Sequence, residues 1–163
     1  MREVLYDGRI VRLVILDGKW ETVEHASAVA VLITRGQQVL GVKQQRPAVG
    51  RTTWEIPAGL IDPGEEPEAA ARRETAEEGQ LGGRLEFVTR FFVSPSFTNE
   101  EVFLYELHDP QPAAGSPDAD ERLTPEWRDA LEVWQAVRAG EVATSGVTVL
   151  ALQHLLARSG ALP

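Results

Sequence analysis

Between Gly59 and Leu81 the chain places six glutamates: Glu65, Glu66, Glu68, Glu74, Glu77 and Glu78. The plain reading of such a run is a solvated helix face. The positions of the last three work against it. Glu74, Glu77 and Glu78 stand at i, i+3 and i+4, which puts them on one face of a helix. They also crowd its C-terminal end, where the macrodipole is negative and each misplaced carboxylate costs ~0.3–1 kcal/mol. A sequence shaped only by folding favours lysine or arginine there. A hard divalent cation held by oxygen ligands removes the conflict, and Mg²⁺ is the first choice, with Mn²⁺ as the alternative. Arg72 and Arg73 are the only basic residues within the helix. Arg73 lies four residues before Glu77, and either pairs with it or reaches back to Glu65.

The elements that must hold these residues are readable in outline. Pro67 suits a first helical turn, and Glu68 to Glu78 forms helix well. Pro57 to Gly64, with two prolines and two glycines, predicts a loop. Before it, Asp7-Gly8 and Asp17-Gly18 are hairpin-turn pairs around the β-branched run Ile10 to Leu16. Trp20 to His25 alternates. Ala28 to Ile33 is almost purely apolar and predicts a buried strand. Arg35-Gly36-Gln37 is a turn, Val39 to Lys43 the next strand, Arg46 to Thr52 a loop, and Trp54 to Ile56 a short strand. After the helix, Leu85 to Val93 and Val102 to Leu107 read as strands flanking a loop at Ser94-Pro95-Ser96. His108 to Glu121 carries three prolines and Gly115 and predicts a long mobile loop, of the kind that often serves function. Thr124-Pro125-Glu126 either caps a helix or interrupts a short edge strand. Helices are expected near 130–139 and 146–158, with Gly140 as the stop between them. The pattern is a mixed sheet with few helices, hence α+β or an α/β/α sandwich.

Composition bounds the function. The 163 residues fit one compact domain, and 43% hydrophobic content supports a core. The formal net charge of −9 argues against a nucleic-acid partner. An acidic protein still acts on phosphates when a bound cation supplies the positive charge. There is no cysteine, which excludes disulfides and cysteine-ligated metals. No run approaches the ~18–20 apolar residues of a membrane span, and no apolar leader is visible. The expectation is a soluble cytoplasmic protein with no membrane partner.

Gly59, five residues, Glu65, seven residues, then Arg73-Glu74-Thr75-Ala76-Glu77-Glu78 closely resembles the Nudix box. The resemblance implies a Nudix-type α/β/α sandwich with a mixed central sheet and a loop–helix–loop metal site. By position Glu74 and Glu78 match the main magnesium ligands, with Glu77 assisting. The Ala58 carbonyl matches the family's backbone ligand, and Glu65 with Arg73 its internal ion pair. Two departures stand out. Thr75 replaces an aliphatic residue. In Gly79-Gln80-Leu81 the glycine comes one place early, which implies a helix cap shifted by one residue.

Four further segments resemble the ADP-ribose pyrophosphatase branch: Val23-Glu24-His25, Gln44-Gln45-Arg46-Pro47, Glu55 to Ile61, and Ser94 to Thr98, with Pro95 fourteen residues beyond Leu81. This implies a homodimer in which residues 1–25 form an N-terminal antiparallel β extension exchanged between subunits, ahead of a hydrolase domain over 26–163. Trp20 and Glu21 match a position where relatives stack an aromatic ring on adenine, a physically apt use of an indole face; the alternative for Trp20 is hairpin packing. Arg46 matches an arginine that contacts substrate phosphates; Glu100, just past the proline loop, is a candidate for binding a polar group of the ribose or adenine. His25, His108 and His154 suggest no shared site.

The implied reaction is Mg²⁺-dependent hydrolysis of ADP-ribose to AMP and ribose 5-phosphate, within nucleotide metabolism. The catalytic residues are Glu74, Glu78 and a general base from the acidic segment Asp118-Ala119-Asp120-Glu121. Some relatives carry glutamate where this chain has Ala119, so the base is Glu121 or Asp120, or else Glu78. The alternatives are a Nudix hydrolase of another nucleoside diphosphate derivative, such as a nucleotide sugar or dinucleotide, and a non-catalytic module that senses ADP-ribose. Sensing modules usually lose box glutamates, and here Glu74, Glu77 and Glu78 are all present.

Overall fold

The apolar run at residues 28–33 predicts a strand covered on both faces, and Val29 to Ile33 have no exposed surface. The structure, a computed structural model, describes residues 1–115 and 123–161. In it β4 (Ala28–Arg35) alternates its side chains between two layers. Ala30 and Leu32 join a cluster with Val133 of α2 (Ala130–Arg138) and Ala151, Leu152 and Leu156 of α3 (Gly146–Arg158). Val29, Val31 and Ile33 join another with Ala70 and Ala71 of α1 (Pro67–Gly79). Helices therefore cover both faces of the sheet, the α/β/α arrangement within an α+β fold.

One edge of β4 pairs in parallel with β9 (Glu101–Pro112), which pairs antiparallel with β8 (Leu81–Phe92). The other edge forks. Ala28 to Ala30 pair with β7 (Ala58–Leu60), whereas Thr34 and Arg35 pair with β5 (Gln38–Arg46). β5 also takes β6 (Arg51–Glu55) and β10 (Thr124–Asp129). The fork opens beside Ala58 and Gly59, at the start of the box.

A separate three-stranded antiparallel sheet is built from β1 (Arg2–Asp7), β2 (Val11–Leu16) and β3 (Trp20–His25). It is stitched to the loop between β8 and β9. The Val23 N–H donates to the Phe97 carbonyl at 2.7 Å, and the His25 N–H to Asn99 Oδ1 at 2.9 Å. Val4, Leu5, Tyr6, Ile10 and Trp20 of this sheet and its turns remain exposed.

The structure corrects several expectations. Pro57 to Gly64 contains strand β7. Arg46 to Thr52 is the end of β5, a single 3₁₀ turn at Pro47–Val49 and the start of β6. β8 begins at Leu81. β9 continues to Pro112, so His108 to Pro112 is strand; residues 116–122 of that expected loop lie outside the described residues. Pro110 and Pro112 are tolerated because β4 pairing ends at Leu107, leaving that edge with no donor to supply. Thr124 to Glu126 is an edge strand.

The helix cap is not shifted. Gln80 takes the left-handed conformation, at φ 53°, and its N–H closes on the Ala76 and Thr75 carbonyls. Gly79 serves packing instead, since an added Cβ would press on Leu40 Cδ2 at 3.2 Å. A residue with a Cβ costs roughly 1–2 kcal/mol in that conformation, and glycine loses part of this advantage to its looser unfolded chain. Gln80→Gly is therefore expected to raise Tm by about 2–4 °C, measured by calorimetry. Thr75, in place of an aliphatic residue, satisfies its buried hydroxyl on the Ala71 carbonyl at 2.7 Å.

Candidate active site

The i, i+4 spacing of Glu74 and Glu78 puts both carboxylates on the buried side of α1, with 7% and 3% of their surface exposed. Both converge on the corner of β7. The Ala58 N–H donates to Glu78 Oε2 at 3.0 Å. Gly59 lies so near Glu74 that a Cβ there would fall 2.0 Å from Oε1. Extended backbone thus lies directly against two buried acids, an arrangement only glycine permits at position 59.

Arg73 ties loop to helix. It donates to both Glu65 oxygens at 3.1 and 2.9 Å, to the Leu60 carbonyl at 2.9 Å, to Glu74 Oε1 at 2.5 Å and to Glu77 Oε2 at 3.2 Å. It thus both reaches back to Glu65 and pairs within the helix. Its hydrogen bonds to Glu65 drive the guanidinium pKa upward against the lowering effect of burial, and Glu74 adds to the rise. The same bonds, joined by the Asp62 N–H, hold the Glu65 carboxyl below the usual range.

Glu65, Glu74 and Glu77 thus surround one guanidinium, and Glu78, next to Glu77 on the same helix, is held by the Ala58 N–H. With all four ionised, the four negative charges against one positive leave a net of −3. Buried charge of one sign is costly unless compensated, and an all-oxygen donor set suits a hard divalent cation. Among the described residues no three Asp, Glu, His or Cys side chains are grouped closely enough to hold a metal by themselves. The main chain at Ala58 and a release of Glu74 or Glu77 from Arg73 are what would complete a ligand set. On donor chemistry, the residues fit Mg²⁺ or Mn²⁺.

Arg46, at the end of β5, donates through Nε and Nη2 to the two oxygens of Glu55, each at 3.0 Å. Glu55 is buried on β6 and also accepts from the Thr53 hydroxyl at 2.6 Å. Burial pushes its pKa up, but the Arg46 fork and the Thr53 hydroxyl outweigh it and hold the carboxyl below the usual range. Sequence reasoning gave Glu55 no role; a charged residue between Trp54 and Ile56 was the available signal.

Trp20 and Glu21 stand on β3, away from the box. Trp20 is 57% exposed, and the Lys19 ammonium sits 4.6 Å from its ring centroid. Glu100 lies beside His25 at the far end of the same strand, with Oε1 3.7 Å from Nδ1. Five residues of strand at ~3.3 Å each separate Trp20 from His25, roughly 16 Å within one chain. The three histidines have separate partners: His25 Glu100, His108 Glu86 and His154 Glu106. Glu121, with Asp118, Ala119 and Asp120, lies outside the described residues.

Known proteins share this fold. A solved structure described as an ADP compounds hydrolase superposes with a TM-score of 0.80, covering 99% of this chain and 95% of its own, at 20% identity. An ADP-ribose pyrophosphatase of Bacillus subtilis is 39% identical over 114 residues, 64% of this chain and 62% of that protein. The methanol dehydrogenase activator of Bacillus methanolicus is 34% identical over 94% of this chain and 89% of its own. An ADP-ribose pyrophosphatase of Mycobacterium tuberculosis is 34% identical over 77% of this chain and 63% of its own. The NUDIX domain model matches residues 24–149, the span that holds the forked sheet, the Arg73 hub and both buried acids, and the chain belongs to the NUDIX domain family.

Proposed function

We propose that this protein is a magnesium-dependent pyrophosphohydrolase that cleaves ADP-ribose to AMP and ribose 5-phosphate. The observation that carries the reading is the pair of buried carboxylates, Glu74 and Glu78, converging on Ala58 and Gly59. The names of the Bacillus subtilis and Mycobacterium tuberculosis relatives support the substrate.

Glu74 and Glu78 would hold the cation with the Ala58 carbonyl, and Glu77 would assist. When bound, the cation neutralises phosphate charge and acidifies a coordinated water. Arg73 fixes the carboxylates and the loop before the helix. Arg46, held in plane by Glu55, presents a guanidinium for the diphosphate. Water adds to one phosphorus, the bridging P–O bond breaks, and the proton passes to a carboxylate, assigned to Glu121 or Asp120, or to Glu78. Hydrolysis of ADP-ribose, ADP-sugars, NADH and diadenosine polyphosphates, with and without Mg²⁺, tests the reading. No Mg²⁺-dependent turnover of any of them would refute it.

We further assign Trp20, Glu21 and Glu100 to substrate binding, and residues 1–25 to an extension exchanged in a homodimer ahead of the domain over 26–163. The exposed apolar side chains of the N-terminal sheet support dimerisation, as does the strand length that parts Trp20 from Glu100 within one chain. Sedimentation is expected to give a dimer at micromolar concentration; a fully active monomer would rule it out. A cytoplasmic setting belongs to the same proposal, and the lack of cysteine is compatible with it. No helix among the described residues is long and apolar enough to cross a membrane.

Arg46→Ala and Trp20→Ala are expected to differ in kind. The first removes charged hydrogen bonds worth ~1.5–3 kcal/mol, so kcat/KM for ADP-ribose falls roughly tenfold to a hundredfold. The second removes a stacking surface that serves ground and transition states alike, so KM rises with kcat little changed. An unchanged KM in Trp20→Ala would leave the indole a hairpin packing residue.

A further inference from the structure

Among the described residues, β6 has a strand neighbour on one edge only, β5. Residues 143–148, which lead into α3 and form its first turn, close its other edge. The Trp54 N–H donates to the Ala143 carbonyl at 2.9 Å, the Thr144 hydroxyl donates to the Trp54 carbonyl at 2.6 Å, and the Ile56 N–H donates to Thr148 Oγ1 at 3.1 Å. One carbonyl and two hydroxyls thus stand in for a missing strand. Thr148 is wholly buried. Its hydroxyl shares a hydrogen bond of 2.9 Å with Ser145, whose own oxygen caps α3 by accepting the Thr148 N–H at 3.3 Å. Two hydroxyls therefore fix each other while one of them holds Ile56.

Ile56 sits between the two halves of the site. The residue before it, Glu55, clamps Arg46, and two residues after it Ala58 meets Glu78. We propose that Thr148, oriented by Ser145, is a positioning residue that sets the β6–β7 corner, and through it the placing of Ala58 and Glu55. The proposal rests on the metal-dependent reading above. A hydroxyl that merely satisfies buried backbone affects thermal stability alone. A positioning hydroxyl affects cation affinity as well.

The test is a Mn²⁺ titration of the whole protein followed by electron paramagnetic resonance, with Tm and ADP-ribose kinetics measured in parallel. Thr148→Val keeps the shape and removes the acceptor. It is expected to weaken Mn²⁺ binding about tenfold, as loss of outer support for a ligand does, and to lower kcat more than it changes KM. Thr148→Ser keeps the hydroxyl and is expected to return Mn²⁺ affinity to within about twofold of wild type. Wild-type Mn²⁺ affinity in a folded Thr148→Val with a lowered Tm overturns the proposal alone. Failure of the wild-type chain to bind Mn²⁺ overturns the hydrolase reading and the proposal with it. If Thr148→Val does not fold, the half-buried Thr144→Val, which frees the Trp54 carbonyl, is judged by the same affinity criterion.

Discussion

Glu74→Gln and Glu78→Gln are each expected to lower ADP-ribose turnover about a thousandfold, equivalent to roughly 4 kcal/mol of lost transition-state charge stabilisation. Each substitution keeps the size of the side chain and removes its charge. An amide oxygen at position 78 still accepts the Ala58 N–H, so the corner of β7 keeps its anchor. At position 74 an amide oxygen still accepts from Arg73. Removing one of several crowded carboxylates also relieves repulsion, so Tm is expected to hold or rise. Loss of activity in a folded, undiminished protein separates a ligand role from a structural one. Release of AMP at saturating substrate, followed over a range of Mg²⁺ concentration beside a thermal melt, provides the measurement. Near-normal turnover in both variants would remove the metal assignment.

Gly59→Ala is expected to lower turnover by two to three orders of magnitude with a loss of only a few degrees in Tm. The new Cβ would lie 2.0 Å from Glu74 Oε1 and 2.1 Å from its carboxyl carbon. One of the two must move, and the carboxyl is the far end of a flexible side chain, whereas the Gly59 backbone is paired with Val29. The displacement therefore falls on Glu74 and leaves the sheet in place. Kinetics and melting of the one variant check both halves. Full activity would show that Glu74 works equally well elsewhere; unfolding would show that the backbone yields instead.

The sequence carried much of the frame because the dominant signals were local. The run 28–33 is apolar at every position since helices cover both faces of β4. The spacing of Glu74, Glu77 and Glu78 gives one helical face without any knowledge of what it meets. Where reading failed, the same residue types were serving other ends. Gly59 looks like loop punctuation, but its backbone is extended and paired, and its missing Cβ makes room for a carboxylate. Gly79 looks like a helix cap, but the left-handed turn falls on Gln80, where the helix hydrogen bonds end. Pro110 and Pro112 look like strand breakers, yet they sit where β9 has already parted from β4. Glu55 could not be given a partner, because its contact with Arg46 depends on the pairing of β5 with β6. The acidic stretch assigned the general base, with Glu121, lies outside the described residues.

The fork in the edge of β4 has a consequence for how ligands influence one another. One uninterrupted stretch, Arg51 to Leu60, starts on the β5 prong and finishes on the β4 prong. Arg46 is fastened to that stretch at Glu55, and Glu78 at Ala58. On the proposed assignment, with the diphosphate on Arg46 and the cation at Ala58, a ligand that stilled one prong would stiffen the short span to the other, and the two occupancies would be coupled. By linkage the dependence would be reciprocal: the factor by which the diphosphate tightened the cation would be the factor by which the cation tightened the diphosphate. A chain of net charge −9, which has no long-range pull on an anion, would thereby gather substrate and cation as a pair.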